Sequence, residues 1–287
     1  MHIVFWSNVH GQCGVTSNLA AMALELALNY RYRVLMLHNE FNNPSLDEIF
    51  LNQETLATVN DSMFDIGIDA LMRYCKYNAL TQENFKNYTT TILKDKLDLL
   101  QGTAMTNRES FYSEWGQMEE HILRNALEYY DFVFSDATAG ESYSQALLEN
   151  ADVIVVNLNQ NTQVIGDFFN HFIYEKYKEK CVFILGKYNR KSKYNRKNLI
   201  RQFNFNQNNS LEKLLGKNES LGVIPYNIDY SDFLNDGKAA DYFLLRSSNN
   251  KKSSKFDFFV GVEKSVEMLL KYLKVNLDLV SLGDVND

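Results

Sequence analysis

Seven short runs of almost unbroken apolar residues, separated by helix-length stretches, limit this chain to very few folds. The runs are Ile3 to Trp6, Val34 to Leu37, Leu97 to Leu100, Phe132 to Phe134, Val153 to Val156, Val182 to Leu185 and Leu221 to Ile224. A strand with one solvated face alternates apolar with polar residues; runs that do not alternate suit strands covered on both faces of a parallel sheet. Between them the period changes. Leu19, Met22, Ala23, Leu26 and Ala27 share one helical face, after Thr16-Ser17-Asn18, a start suited to side-chain capping. Further helices are expected around Ile66–Tyr77, Ser110–Tyr129, Ser142–Glu149, Thr162–Tyr177 and Val262–Lys274. Strands alternating with helices predict βαβ units, hence an α/β fold with a predominantly parallel sheet flanked by helices on both faces.

The 287 residues contain only two prolines, Pro44 and Pro225, and no Gly/Ser/Pro-rich linker. One domain over 1–275, followed by a polar acidic tail over 276–287, is the organisation expected. A net charge of -7 argues against a dedicated nucleic-acid binder, whose affinity rests on neutralising phosphates. Cys13, Cys75 and Cys181 are widely spaced and odd in number, giving neither a zinc-ligand pattern nor a disulfide framework, which suits a reducing cytoplasm. No apolar run approaches the ~20 residues of a bilayer span, and His2-Ile3-Val4-Phe5-Trp6 is not a signal core.

In doubly wound sheets, ligands sit beyond the carboxyl ends of the strands, so the loops after each run carry the chemistry. The first reads Ser7-Asn8-Val9-His10-Gly11-Gln12-Cys13-Gly14-Val15-Thr16-Ser17 and leads straight into a helix. Gly11 and Gly14 allow a tight turn that gathers backbone N–H groups around an anion at the positive end of that helix. The Thr16 hydroxyl stands where it could bind Mg²⁺. Val15 occupies the place where a phosphate-binding loop has lysine; a plain strand-to-helix turn is the alternative. Glu40, after the second run, projects toward the same sheet edge, or is simply a surface carboxylate. Asp136, after the fourth, suits a carboxylate that acts on Mg²⁺ through water, or a helix cap.

Taken in order, these segments resemble the ParA/MinD family of P-loop ATPases with a deviant Walker A loop, and especially its atypical TadZ/CpaE-like members. Val34-Leu35-Met36-Leu37 with Glu40 and Leu46-Asp47 is similar to the family's second strand and switch I. Tyr130-Asp131 through Gly140 is similar to its Walker B and switch II segment, with Thr138 where proline is usual. Ala151 to Val156, Leu221-Gly222-Val223-Ile224-Pro225, Gly67 to Leu71 and Leu97 to Thr103 extend the likeness almost end to end.

The resemblance implies ATP or ADP with Mg²⁺ as cofactor. His10, Gly11, Gly14, Val15, Thr16 and Ser17 would surround the phosphates, Thr16 and Asp136 would serve the metal, and Lys187 and Pro225 would flank the base. Glu40 stands at the family's catalytic aspartate and His38 at its first switch I aspartate. The family's two loop lysines correspond to His10 and Val15. Removing one charge at the transferred phosphoryl group typically costs about 10²–10³ in rate, so weak or no hydrolysis is expected. The implied role is a positioning or scaffold factor: a cytoplasmic homodimer serving protein components of a pilus or secretion apparatus, drawn to the cell pole or to membrane-associated machinery. A partition factor gripping DNA through the basic stretch Lys187 to Lys197, or an active ATPase, are the competing readings. The last helical stretch, with Val262, Val266, Leu269 and Leu270, reads as core and not as a lipid anchor, because the residues beyond it lack a basic face.

Overall fold

All seven runs become strands: β1 (His2–Trp6), β2 (Val34–His38), β4 (Leu97–Leu100), β5 (Phe132–Asp136), β6 (Val153–Leu158), β7 (Cys181–Tyr188) and β8 (Leu221–Pro225), with an unforeseen β3 (Thr90–Leu93) before β4. The computed structural model describes residues 1–30, 32–41, 43, 45–52, 66–137, 144–203, 205, 221–245 and 254–273. Thr138, Gly140, most of 246–255 and the tail expected over 276–287 lie outside these.

The strands form one sheet in the order β3-β4-β2-β5-β1-β6-β7-β8. Every pairing is parallel except β3 with β4. Parallel pairing demands a crossover between consecutive strands, and helices supply them. Alternate residues of each strand go to opposite faces. Ile3 and Phe5 join Met36, Phe134, Val155 and Ile184 on one face, under the helix α1 (Val15–Asn29) and the last helix, Ser254–Tyr272. Val4 and Trp6 join Leu35, Val133, Ile154 and Phe183 on the other, under the helices Gly67–Tyr77, Arg108–Tyr129 and Thr162–Phe169. Val262, Val266, Leu269 and Leu270 are all buried, so the last helix does close the core.

Two local expectations are corrected. Thr16-Ser17-Asn18 does not cap α1; the helix starts at Val15, and its N-cap is Gly14 in the left-handed conformation with no side-chain cap. The helix expected over Thr162–Tyr177 is two, Thr162–Phe169 and Phe172–Tyr177, because His171 turns out of the first and caps the second, its Nδ1 accepting from the Ile173 N–H at 3.2 Å. No described helix is long and apolar enough to cross a membrane.

Candidate functional site

The carboxyl ends of β1, β2, β5, β7 and β8 border one cleft of about 360 Å³. Its floor is the loop between β1 and α1. Gly11 and Gly14 both hold positive φ, 69° and 71°, a region in which a side chain is strained. At Gly14 a Cβ would also crowd the Ser17 hydroxyl at 2.9 Å. That hydroxyl donates back to the Gly14 carbonyl at 3.0 Å, tightening the turn. With neither a side-chain cap nor an acidic residue in its first turn, α1 offers its N-terminal N–H groups and the positive end of its dipole to whatever enters the cleft.

β5 ends beside this loop. Asp136 is the register partner of Phe5 on one side and His38 on the other. The Thr16 hydroxyl stands beside its carboxylate and favours the ionised form. Burial pushes the Asp136 pKa up to about 6, assisted by Glu40 and opposed by Thr16, His38 and His10. A hydroxyl beside a carboxylate at a phosphate loop supplies the ligand types that Mg²⁺ takes when most of its other ligands are phosphate oxygens and water. The site therefore fits a nucleotide-borne Mg²⁺. No cluster of three or more His, Cys, Asp or Glu residues suited to a metal occurs among the described residues, so the protein alone does not cage one.

His38, at the end of β2, is buried against Asp47, with Nε2 3.3 Å from Oδ2. The same oxygen accepts from the Gly102 N–H at 3.0 Å, and a side chain at Gly102 would overlap the imidazole. Burial alone would lower the His38 pKa, yet Asp47, then Asp136 and Glu40, carry it above its ordinary value. Glu40 lines the cleft beyond it.

The opposite wall comes from β7 and β8. Gly186 lets β7 pass flush against the loop, where a Cβ would overlap the Cys13 carbonyl oxygen. Lys187 then adopts φ 48°, and its Nζ donates to the Gly11 carbonyl at 3.3 Å. The ammonium thus lies over the loop, whereas Pro225 stands on the outer wall with Tyr226, Asn227 and Tyr230. Those three were not singled out from the sequence. Tyr230 fastens the wall to α1 by donating to the Ser17 carbonyl at 3.0 Å, and Asn227 is bound by Tyr230 N–H and Tyr242 hydroxyl.

Of the remaining basic stretch, Arg190 pairs with Asp257 at 2.8 Å and Arg196 Nε donates to the Leu221 carbonyl at 2.7 Å. Lys191, Lys193 and Lys197 are exposed.

The sequence matches no family model and no curated protein. Solved structures do match over nearly the whole chain. A ParA family ATPase from Chlorobium tepidum superposes with a TM-score of 0.64 at 17% identity, covering 92% of this chain and 98% of that one. A plasmid partition protein from Borrelia burgdorferi, bound to AMPPNP, gives 0.59 at 15%, covering 94% and 98%. MinD in the MinC:MinD cell division complex of Aquifex aeolicus gives 0.58 at 17%, covering 98% of each chain. The fold is that of the ParA/MinD P-loop NTPases.

Proposed function

We propose that this chain is a nucleotide-binding positioning or scaffold protein that holds Mg-ATP or Mg-ADP and hydrolyses it weakly or not at all. The observation that supports it most is that Thr16 and Asp136 line the same cleft at the foot of α1, whose N-terminus has no side-chain cap. It pairs a metal site with an anion site in one cleft. AMPPNP in the partition protein is consistent with a nucleotide here. Hydrolysis is another matter. The loop from Ser7 to Ser17 contains no lysine, and Glu40 replaces the shorter carboxylate that the family resemblance leads one to expect.

In this reading the cleft is a structural switch or a permanent brace. A homodimer would form through the face bearing Glu40 and the glycine loop, and recruit components of a pilus or secretion apparatus. MinD in complex with MinC is a precedent for a partner protein on this fold. The DNA-partition reading draws less support, because Arg190 and Arg196 of the basic stretch engage the protein's own groups.

Thermal unfolding with Mg-ATP and Mg-ADP, phosphate release, and light scattering after size exclusion test the proposal together. The expected result is a rise in melting temperature with either nucleotide, turnover near background, and a dimer. A monomer under all conditions would remove the scaffold role; rapid turnover would make the chain an ATPase.

A further inference from the structure

We infer that Lys187 supplies the phosphate-binding ammonium of this cleft, reaching in from β7 to do what no residue of the glycine loop can do. The inference rests on the nucleotide reading above and names the cation that reading lacks. Four observations carry it. The Nζ of Lys187 is bound to the loop itself, at Gly11. Its stem crosses Gly14, with Cγ and Cε each 3.5 Å from where a Cβ would stand there. The backbone of Lys187 is held at φ 48°, a conformation that lysine adopts only when the surroundings impose it and that clusters at ligand sites. Finally, the bare Gly186 allows β7 to lie against the loop at all, since any side chain would strike Cys13.

The bond to Gly11 is a weak one to a neutral carbonyl. Among the described residues Lys187 makes no ion pair with a carboxylate, so its charge is not neutralised by the protein. A phosphate oxygen entering beside Gly11 would offer the ammonium a full opposite charge in place of a carbonyl dipole, which the carbonyl cannot match. The ammonium would then approach the phosphates from the side of β7, whereas a loop lysine approaches from the first turn of α1. Lys187 is therefore a phosphate-contacting residue, not one that flanks the base.

Isothermal titration of Mg-ADP, Mg-pyrophosphate and adenosine into the wild type, Lys187→Ala, Lys187→Arg and Lys187→Gly tests this. Lys187→Gly removes the ammonium while relaxing the backbone, so its melting temperature without ligand should equal or exceed that of the wild type, which guards against loss of folding. The expected result is a loss of about 10- to 100-fold for ADP and pyrophosphate in the Ala and Gly variants. Adenosine affinity should stay unchanged, and Lys187→Arg should recover most of the loss. An equal loss for adenosine, or none for ADP, overturns the inference while leaving nucleotide binding intact. Pyrophosphate binding that needs Lys187, with no added affinity for ADP, upholds the ammonium and removes the nucleotide reading. A wild type that takes up none of the three overturns both.

Discussion

The side chains of Asn18 and Asn157 meet in the interior, Nδ2 of the first donating to Oδ1 of the second at 2.8 Å. Asn157 Nδ2 donates in turn to the Val155 carbonyl at 3.0 Å, and both residues are almost wholly buried. This pair pins the first turn of α1 to β6. Replacing Asn157 by Leu leaves the Asn18 amide without its main partner, a loss of about 1–3 kcal/mol for a buried polar group. Chemical denaturation should show that loss, accompanied by weaker nucleotide binding because the floor of the cleft is no longer held. An unchanged midpoint would show that the pair does not carry the loop.

Two glycines should respond in opposite senses to the same substitution. Gly186→Ala forces a Cβ into the Cys13 carbonyl, a backbone group that cannot swing aside, and into the Asn18 amide beside it. A loss of about 2 kcal/mol or more is expected, by the usual cost of overpacking. Gly116→Ala, on an exposed face inside the helix Arg108–Tyr129, meets nothing within 4 Å. It should stabilise by about 0.5–1 kcal/mol through helix propensity alone. Parallel melts of the two variants give the comparison.

The Asp136 carboxyl, with its pKa raised to about 6, would tie the proposed Mg²⁺ binding to pH. A bound cation requires the carboxylate, so the Mg²⁺ dependence of nucleotide binding should strengthen as pH rises through about 6, with proton release on binding near that pH. Ionising a carboxyl whose folded pKa is raised costs stability, and that cost appears between its ordinary value and about 6. Asp136→Asn escapes it. The variant should melt at or above the wild type at pH 7.5 without Mg²⁺, yet gain nothing from adding it. Titration in two buffers of different ionisation enthalpy reads the proton.

Glu119 provides a pH effect remote from the cleft. It is buried, its Oε1 has no hydrogen-bond partner, and burial pushes its pKa to about 7, only partly offset by Trp115. The folded state binds this proton more tightly than the unfolded chain, so wild-type stability should fall between about pH 4.5 and 7 and then level off. Glu119→Gln should flatten that segment of the profile and add roughly 2–3 kcal/mol at pH 8.

Much of this molecule could be read from its residues, for a physical reason. Doubly buried strands admit little but Val, Ile, Leu and Phe, so β1, β2 and β4 to β8 announce themselves, and the loop after each follows. β3 did not. Thr90–Leu93 is a four-residue edge strand with partly exposed side chains, joined to β4 by a turn in which Asp95 takes φ 60°; neither period nor composition distinguishes it from a loop. The cap of α1 was misread because Thr16 and Ser17 are good capping residues whose hydroxyls turn instead to Asp136 and Gly14. Tyr226, Asn227 and Tyr230 were missed because a wall made by one short helix, Ile228–Asn235, leaning on α1 leaves no motif. The direction taken by Lys187 depends on one backbone angle, which no pattern of letters encodes.

The separation between Lys187 and the carbonyl it covers, 176 positions along the chain, sets an order of events. The chain is made from the amino end but a domain folds as a unit, so the glycine turn is synthesised early, while its covering charge arrives only once Cys181–Tyr188 has been made and has paired with β6. Until that late docking, a nucleotide would meet bare peptide groups and little reason to stay. On the proposed role of Lys187, nucleotide recognition would follow near-complete assembly and would not serve as a template for it.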